Sequence, residues 1–151
     1  MKEFKIRNWQ GQFPGKPLPV YTALSQDEAS ELGIELAKRF RISYTSEDAA
    51  FTELFRRSNE VPEIYLEGEV TPLSSVFSRC AITPRESLFV QWRMFREVDR
   101  FKTRDLENDF YSIWYPSSDD IEIFDSTMEW VLFISHHGSV SLAKTKGKHS
   151  H

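Results

Sequence analysis

Cysteine, glycine and long apolar runs are all scarce in this sequence of 151 residues. Cys80 is the only cysteine, so an internal disulfide is excluded. The six glycines form neither a Gly-x-Gly-x-x-Gly motif nor a P-loop, which excludes the common phosphate-binding loops. No apolar run approaches the roughly 18–20 residues of a membrane-spanning helix. The charged N-terminus, Met1 to Arg7, lacks the apolar stretch of a signal peptide. We therefore expect a cytoplasmic protein that does not bind membranes.

Aromatic residues, by contrast, are plentiful. They make up 14% of the chain, and apolar residues make up 40%, a composition that argues against disorder. A chain of this length is typical of one domain with its own core. We expect residues 1–151 to form a single domain, with a flexible tail at residues 144–151.

Charge is unevenly distributed along the chain. The net charge is −4, yet residues 105–143 carry eight acidic residues and no lysine or arginine. Residues 79–104 are rich in arginine. Either the two segments neutralise each other within the domain, or the acidic segment meets a basic partner. The overall acidity argues against nucleic-acid binding, which usually requires a basic face.

The N-terminal half indicates helices. Ser25 and Glu28 form a capping-box pattern, and apolar residues then recur every three or four positions, which predicts a helix over 26–41. A second helix is predicted over 47–58. Residues 4–9 are typical of a short opening strand, and the stretch 11–19, rich in proline and glycine, is predicted to be a loop.

The C-terminal half indicates strands. The run 87–93 fits either a helix or a strand. A strand is favoured, because the run is short and rich in β-favouring residues. Residues 95–113 are predicted to be mainly helical. Ile121–Phe124 alternates, 130–134 is continuously apolar, and 140–142 alternates again, which predicts an antiparallel meander. The sequence thus predicts an α+β fold, with N-terminal helices packed on one side of an antiparallel sheet formed mainly by this meander.

No catalytic or metal-binding motif is evident. His136 and His137 are adjacent, and His149 and His151 lie in the polar tail, so the histidines lack metal-ligand spacing. The acidic stretch 119–125 lacks the glycine and periodicity of a calcium-binding loop. There is no Gly-x-Ser-x-Gly nucleophile elbow, and Cys80 is typical of a small core residue. The sequence favours a non-enzymatic protein that needs no metal or cofactor.

The acidic and aromatic residues of the C-terminal third suggest a protein-binding surface. On a strand, Asp120 and Glu122 would project from the face opposite Ile121 and Ile123. Exposed aromatic residues beside charges are typical of binding hot spots. The predicted surface for a basic protein partner consists of Trp114, Tyr115, Asp119, Asp120, Glu122 and Asp125.

This region also resembles a known kind of protein. The segment from Ile113 to Asp125, with Trp130 and the turn His136-His137-Gly138, resembles the C-terminal part of small, mostly uncharacterised bacterial proteins. Some proteins of that kind are immunity proteins, which neutralise a neighbour's toxin. The resemblance covers about the last third of the chain. It implies a small cytoplasmic α+β domain. Our first hypothesis is a non-enzymatic binding protein of this immunity kind, whose acidic C-terminal region occludes a basic active site on a toxin.

Two other functions remain open at this stage. The first is a small enzyme or ligand-binding domain that uses a carboxylate and histidine cluster near the C-terminal sheet, namely Asp119, Asp120 and His136 or His137. A deep pocket that contains both residue types would favour it. The second is a structural module without a partner of its own.

Overall fold

A computed structural model describes residues 1–66, 71–93, 95–116 and 118–145, apart from the side chain of Arg93. Helices and strands alternate irregularly along this part of the chain. In chain order the elements are α1 (Glu3–Gln12), β1 (Tyr21–Ala23), α2 (Gln26–Arg39), α3 (Glu47–Arg56), β2 (Asn59–Tyr65), α4 (Leu73–Arg79), β3 (Ser87–Arg93), β4 (Glu97–Lys102), α5 (Thr103–Ile113), β5 (Ile121–Phe124), β6 (Trp130–Ile134) and β7 (Ser139–Lys144).

The strands form one sheet in the order β1-β4-β3-β5-β6-β7-β2. Every neighbouring pair is antiparallel. The predicted meander, β5-β6-β7, therefore occupies the middle of the sheet, and earlier strands pair along both of its sides. The predicted strand at 87–93 is also confirmed.

Helices cover both faces of this sheet. Trp130, Leu132 and Ile134 of β6 face α4 and α5, whereas Val131 and Phe133 face α2 and α3. Because β6 is apolar on both sides, each face needs a helical cover to exclude water. The predicted α+β class is confirmed. Helices pack on both faces of the sheet, whereas the sequence predicted helices on one side.

The capping signals in the sequence correctly locate α2 and α3, which are the two helices on one face of the sheet. The Ser25 hydroxyl accepts a hydrogen bond from the Glu28 amide at 3.1 Å, and the Ser25 amide donates to the Glu28 carboxylate at 2.9 Å. Ser46 caps α3 in a similar way through the Ala49 amide, at 3.1 Å. These bonds satisfy amides that have no partner within the helix.

Two predicted elements differ from the structure, and one helix was not predicted. Residues 4–9 lie in helix α1 and not in a strand, and residues 97–102 of the predicted helical stretch form strand β4. β4 pairs with both β1 and β3, so sheet pairing overrides the local helical spacing. Helix α4 was not predicted. Most of the predicted tail, residues 146–151, lies outside the described residues, and Lys144 ends β7.

Gly33 of α2 packs closely against Phe95 in the loop after β3. A Cβ atom at this position would stand 2.8 Å from Cγ of Phe95. Phe95 is buried and has a φ of 57°, so its ring cannot move away cheaply. We expect Gly33→Ala to lower the free energy of unfolding by roughly 1–3 kcal/mol, measured by urea denaturation.

Gly11 of α1 provides the matched control. An added Cβ there meets no atom within 4 Å. Gly11→Ala should therefore raise stability by up to about 1 kcal/mol through helix propensity alone. A gain of stability in both variants would show that Phe95 does not restrict position 33.

Candidate functional site

The structure separates the predicted binding residues into three places. Three of them lie near α1, two lie along a groove over β5, and one lies in the turn after β5. In that order they are Trp114, Tyr115 and Asp119, then Asp120 and Glu122, then Asp125.

Most of these residues are not on the surface. Trp114 is completely buried, and Asp119, Glu122 and Asp125 are buried as well. The prediction of one continuous exposed acidic surface is therefore wrong for these residues. The alternating pattern of β5 predicts a strand with one solvent-exposed face, which would carry Glu122. In the structure, α2 and α3 cover that face.

Asp119 is paired with a lysine from the other end of the chain. Its carboxylate accepts from the Lys5 ammonium and from the Tyr115 amide, the latter at 2.8 Å. Lys5 also donates to the Ile113 carbonyl at 2.6 Å. Burial lowers the pKa of Lys5, and the hydrogen bond and charge of Asp119 oppose that shift. This pair fixes α1 against the end of α5.

Asp125 stabilises the turn between β5 and β6. One of its carboxylate oxygens accepts from the Thr127 amide at 2.9 Å, and the other accepts from the Arg85 amide at 3.1 Å. A carboxylate with such backbone donors holds two loops together. Its role is structural, and it offers no exposed charge to a partner.

Glu122 is a buried acid with one direct side-chain partner among the described residues. The Gln91 amide donates to its carboxyl group at 3.3 Å, and Gln91 in turn accepts from the Phe95 amide at 2.7 Å. Burial raises the pKa of Glu122 to about 8; the Gln91 bond opposes this shift, and the charge of Asp120 adds to it. Glu122 is therefore largely protonated at neutral pH, which suits a carboxyl group in apolar surroundings.

A groove of about 280 Å³ lies above Glu122, between α3 and the central strands. Its aromatic side is formed by Phe51, Phe55 and Phe133, whose rings meet edge to face. Its polar side carries the carboxyl groups of Asp120 and Glu122 and three hydroxyl groups. The described lining residues are Phe51, Phe55, Asp120, Ile121, Glu122, Phe133, Ile134, Ser135, Ser139 and Ser141.

Phe55 and Asp120 form the exposed part of this groove. Phe55 is 52% exposed, although it is a large apolar residue, and the Asp120 side chain is 65% exposed. Asp120 accepts from His136 through both the backbone amide, at 2.7 Å, and the ring Nδ1, at 2.9 Å. The predicted carboxylate and histidine cluster is thus formed by Asp120 and His136, whereas Asp119 lies in the Lys5 site.

The sequence analysis missed Lys5, Gln91, Phe51 and Phe55 as site residues. Lys5 and Asp119 are 114 positions apart, so no local pattern connects them. Phe51 and Phe55 lie four positions apart in α3, a spacing that predicts one apolar helix face, and such a face usually lies in the core. A groove could have been predicted only by combining the four-residue spacing of Phe51 and Phe55 with the burial of β5 beneath α3.

A comparison with family models, with curated proteins and with solved structures found no match for this chain. Within the described ranges, no helix combines the length and apolar character needed to cross a bilayer. The same part of the chain holds no group of three or more histidine, cysteine or carboxylate side chains that could bind a metal ion. The geometry of the groove is therefore the basis for a functional proposal.

Proposed function

We propose that this chain is a non-enzymatic protein-binding domain whose groove receives a cationic side chain from a basic partner. The observation that carries this proposal is the pair of Phe55 and Asp120, an exposed aromatic ring and an exposed carboxylate on one groove. The described lining residues include two carboxyl groups and no lysine or arginine.

The chemistry of the lining favours a cation. An ammonium or guanidinium group gains from an aromatic face and from a carboxylate at the same time. Arginine and aromatic residues are also the common anchors of protein interfaces. Because Glu122 is largely protonated at neutral pH, the exposed Asp120 side chain is the carboxylate that would pair with the cation.

The size of the groove favours a side chain over a free ligand. Small-molecule sites typically measure about 300–1,000 Å³, and this groove lies just below that range. It fits one anchoring residue, with the rest of the partner resting on the surrounding surface. A toxin with a basic active site, the partner of our first hypothesis, would present such a residue.

A titration with a defined peptide tests this proposal. We expect the blocked peptide acetyl-Gly-Arg-Gly-amide to shift the amide resonances of Phe133, Ser135 and Ser141 in ¹⁵N-labelled protein. Phe55→Ala and Asp120→Asn should each weaken this binding at least about fivefold, which corresponds to roughly 1 kcal/mol.

Two control variants have matched exposure. Tyr65 is 53% exposed and lies on β2, and the Glu129 side chain is 61% exposed and precedes β6. Tyr65→Ala and Glu129→Gln should leave the peptide affinity unchanged. Equal losses in all four variants, or shifts spread over the whole surface, would show that the peptide binds by charge alone and not in the groove.

An acid–base or ligand-binding site is the second candidate. The observation that favours it is the pairing of His136 Nδ1 with Asp120 at 2.9 Å beside the groove. Such a site would bind uncharged compounds more tightly than the arginine peptide. A fragment screen by the same amide shifts, with His136→Ala as the comparison, distinguishes the two functions.

A further inference from the structure

Lys5 is held in this structure as a bound ligand would be. Its ammonium nitrogen lies 3.9 Å from the centre of the Tyr115 ring and 4.7 Å from that of the Trp92 ring. It also donates to the Asp119 carboxylate and to the Ile113 carbonyl. Aromatic faces combined with a carboxylate are the groups that recognise organic cations.

The residues that surround the Lys5 ammonium group lie outside α1 and are bonded to one another. The indole of Trp114 donates to the Asp119 carbonyl at 3.0 Å, and the Tyr115 amide orients the Asp119 carboxylate. On the other side, the indole of Trp92 donates to Asp99 at 2.8 Å. None of these bonds involves a residue of α1, but two α1 residues also contact the Tyr115 side chain: Asn8 donates to its hydroxyl group at 3.2 Å, and the Phe4 ring packs against its ring.

Helix α1 buries few of its residues against the rest of the domain. Only Lys5 and Trp9 of its ten residues are buried, and the Trp9 indole donates to the backbone carbonyl of Lys16 in the loop that follows. The nitrogen of Met1, just before the helix, lies 2.6 Å from Asp99. The loop after α1 contains three prolines and Gly15, which has a φ of 80°. Each contact with the body of the domain could form equally well between two molecules.

We propose that Trp92, Tyr115 and Asp119 form a lysine-binding pocket with an exchangeable occupant, which is Lys5 of the same chain or Lys5 of a second copy. Exchange of an identical element between protomers is a common route to dimers, because the same contacts form again. The second copy then contributes a residue to a site that is incomplete without it. This inference is independent of the groove and of its partner.

A mixing experiment tests the exchange. Lys5→Ala leaves a complete pocket without its lysine, and Asp119→Ala leaves a lysine without its carboxylate, so each monomer retains a buried charge without a partner. When the two variants are mixed, with one of them ¹⁵N-labelled, and refolded together, Lys5 of one chain can enter the pocket of the other. Native mass spectrometry should then show a heterodimer that neither variant forms alone. A mixture that contains only monomers would overturn the exchange.

A small probe tests the pocket itself. n-Butylammonium carries the same charged group as lysine and should raise the melting temperature of Lys5→Ala by several degrees. It should leave wild type and the double variant Lys5→Ala/Asp119→Ala unchanged. Where Lys5→Ala does not fold alone, refolding in n-butylammonium should restore it. No effect of the probe in either form would overturn the assignment of a lysine-binding pocket.

Discussion

Replacing Asp119 by asparagine should lower the free energy of unfolding by about 3–5 kcal/mol. Asparagine keeps the shape of the side chain but removes the negative charge that faces Lys5. The Lys5 ammonium is then buried beside a neutral amide, and this loss of its partner is more costly than the loss of an exposed ion pair. Urea denaturation at neutral pH measures the difference.

The adjacent residue supplies the control for this variant. Asp120→Asn makes the same chemical change at a side chain that is 65% exposed and pairs only with His136 among the described residues. We expect its effect to be at most about 1 kcal/mol. Equal effects at positions 119 and 120 would mean that Lys5 is not held by a buried charge pair.

The second large effect is a dependence of stability on pH that Glu122→Gln should remove. The pKa of Glu122 is about 8 in the folded protein and about 4.5 in the unfolded chain. Its contribution to stability is fully present below about pH 4.5 and is lost as the pH rises through about 8. The loss occurs because the unfolded chain ionises this group from about pH 4.5, whereas the folded protein keeps the proton up to about pH 8. Glutamine keeps the hydrogen bond to Gln91 and does not ionise.

The difference in free energy of unfolding between wild type and Glu122→Gln should grow as the pH rises. Wild type and Glu122→Gln should have similar stability at pH 4.5. The variant should be more stable by a margin on the order of 3–5 kcal/mol near pH 9. Any effect of the lowered pKa of Lys5 cancels in this comparison, because both proteins contain Lys5. Parallel stability curves over this range would show that Glu122 is solvated, and Glu129→Gln is the exposed control.

The sequence predicted the parts of the fold that depend on local patterns. The capping box at Ser25 and the apolar run of β6 each contain their own signal, and both elements are confirmed. The sequence predicted a helix where β4 lies and a strand where α1 lies, because their short patterns fit both a helix and a strand. Pairing with distant strands decides between the two for β4.

The candidate site depended on contacts that no local pattern reveals. The alternation of polar and apolar residues over 120–123 is typical of a strand with one solvent-exposed face. Glu122 is nevertheless buried, because α2 and α3 pack over that face of the sheet. Its raised pKa therefore follows from tertiary packing and not from its neighbours in sequence.

The strand order has a consequence for how the chain folds as it is made. β5, β6 and β7 are the last strands to be synthesised, yet they form the middle of the sheet. β2 cannot pair until β7 has emerged, about 75 residues later, which takes roughly 4–15 s at typical translation rates. A chain that stops before β5 therefore lacks the centre of its sheet rather than one edge. It leaves β2 without a partner and one side of β3 as an open edge, which is prone to aggregation.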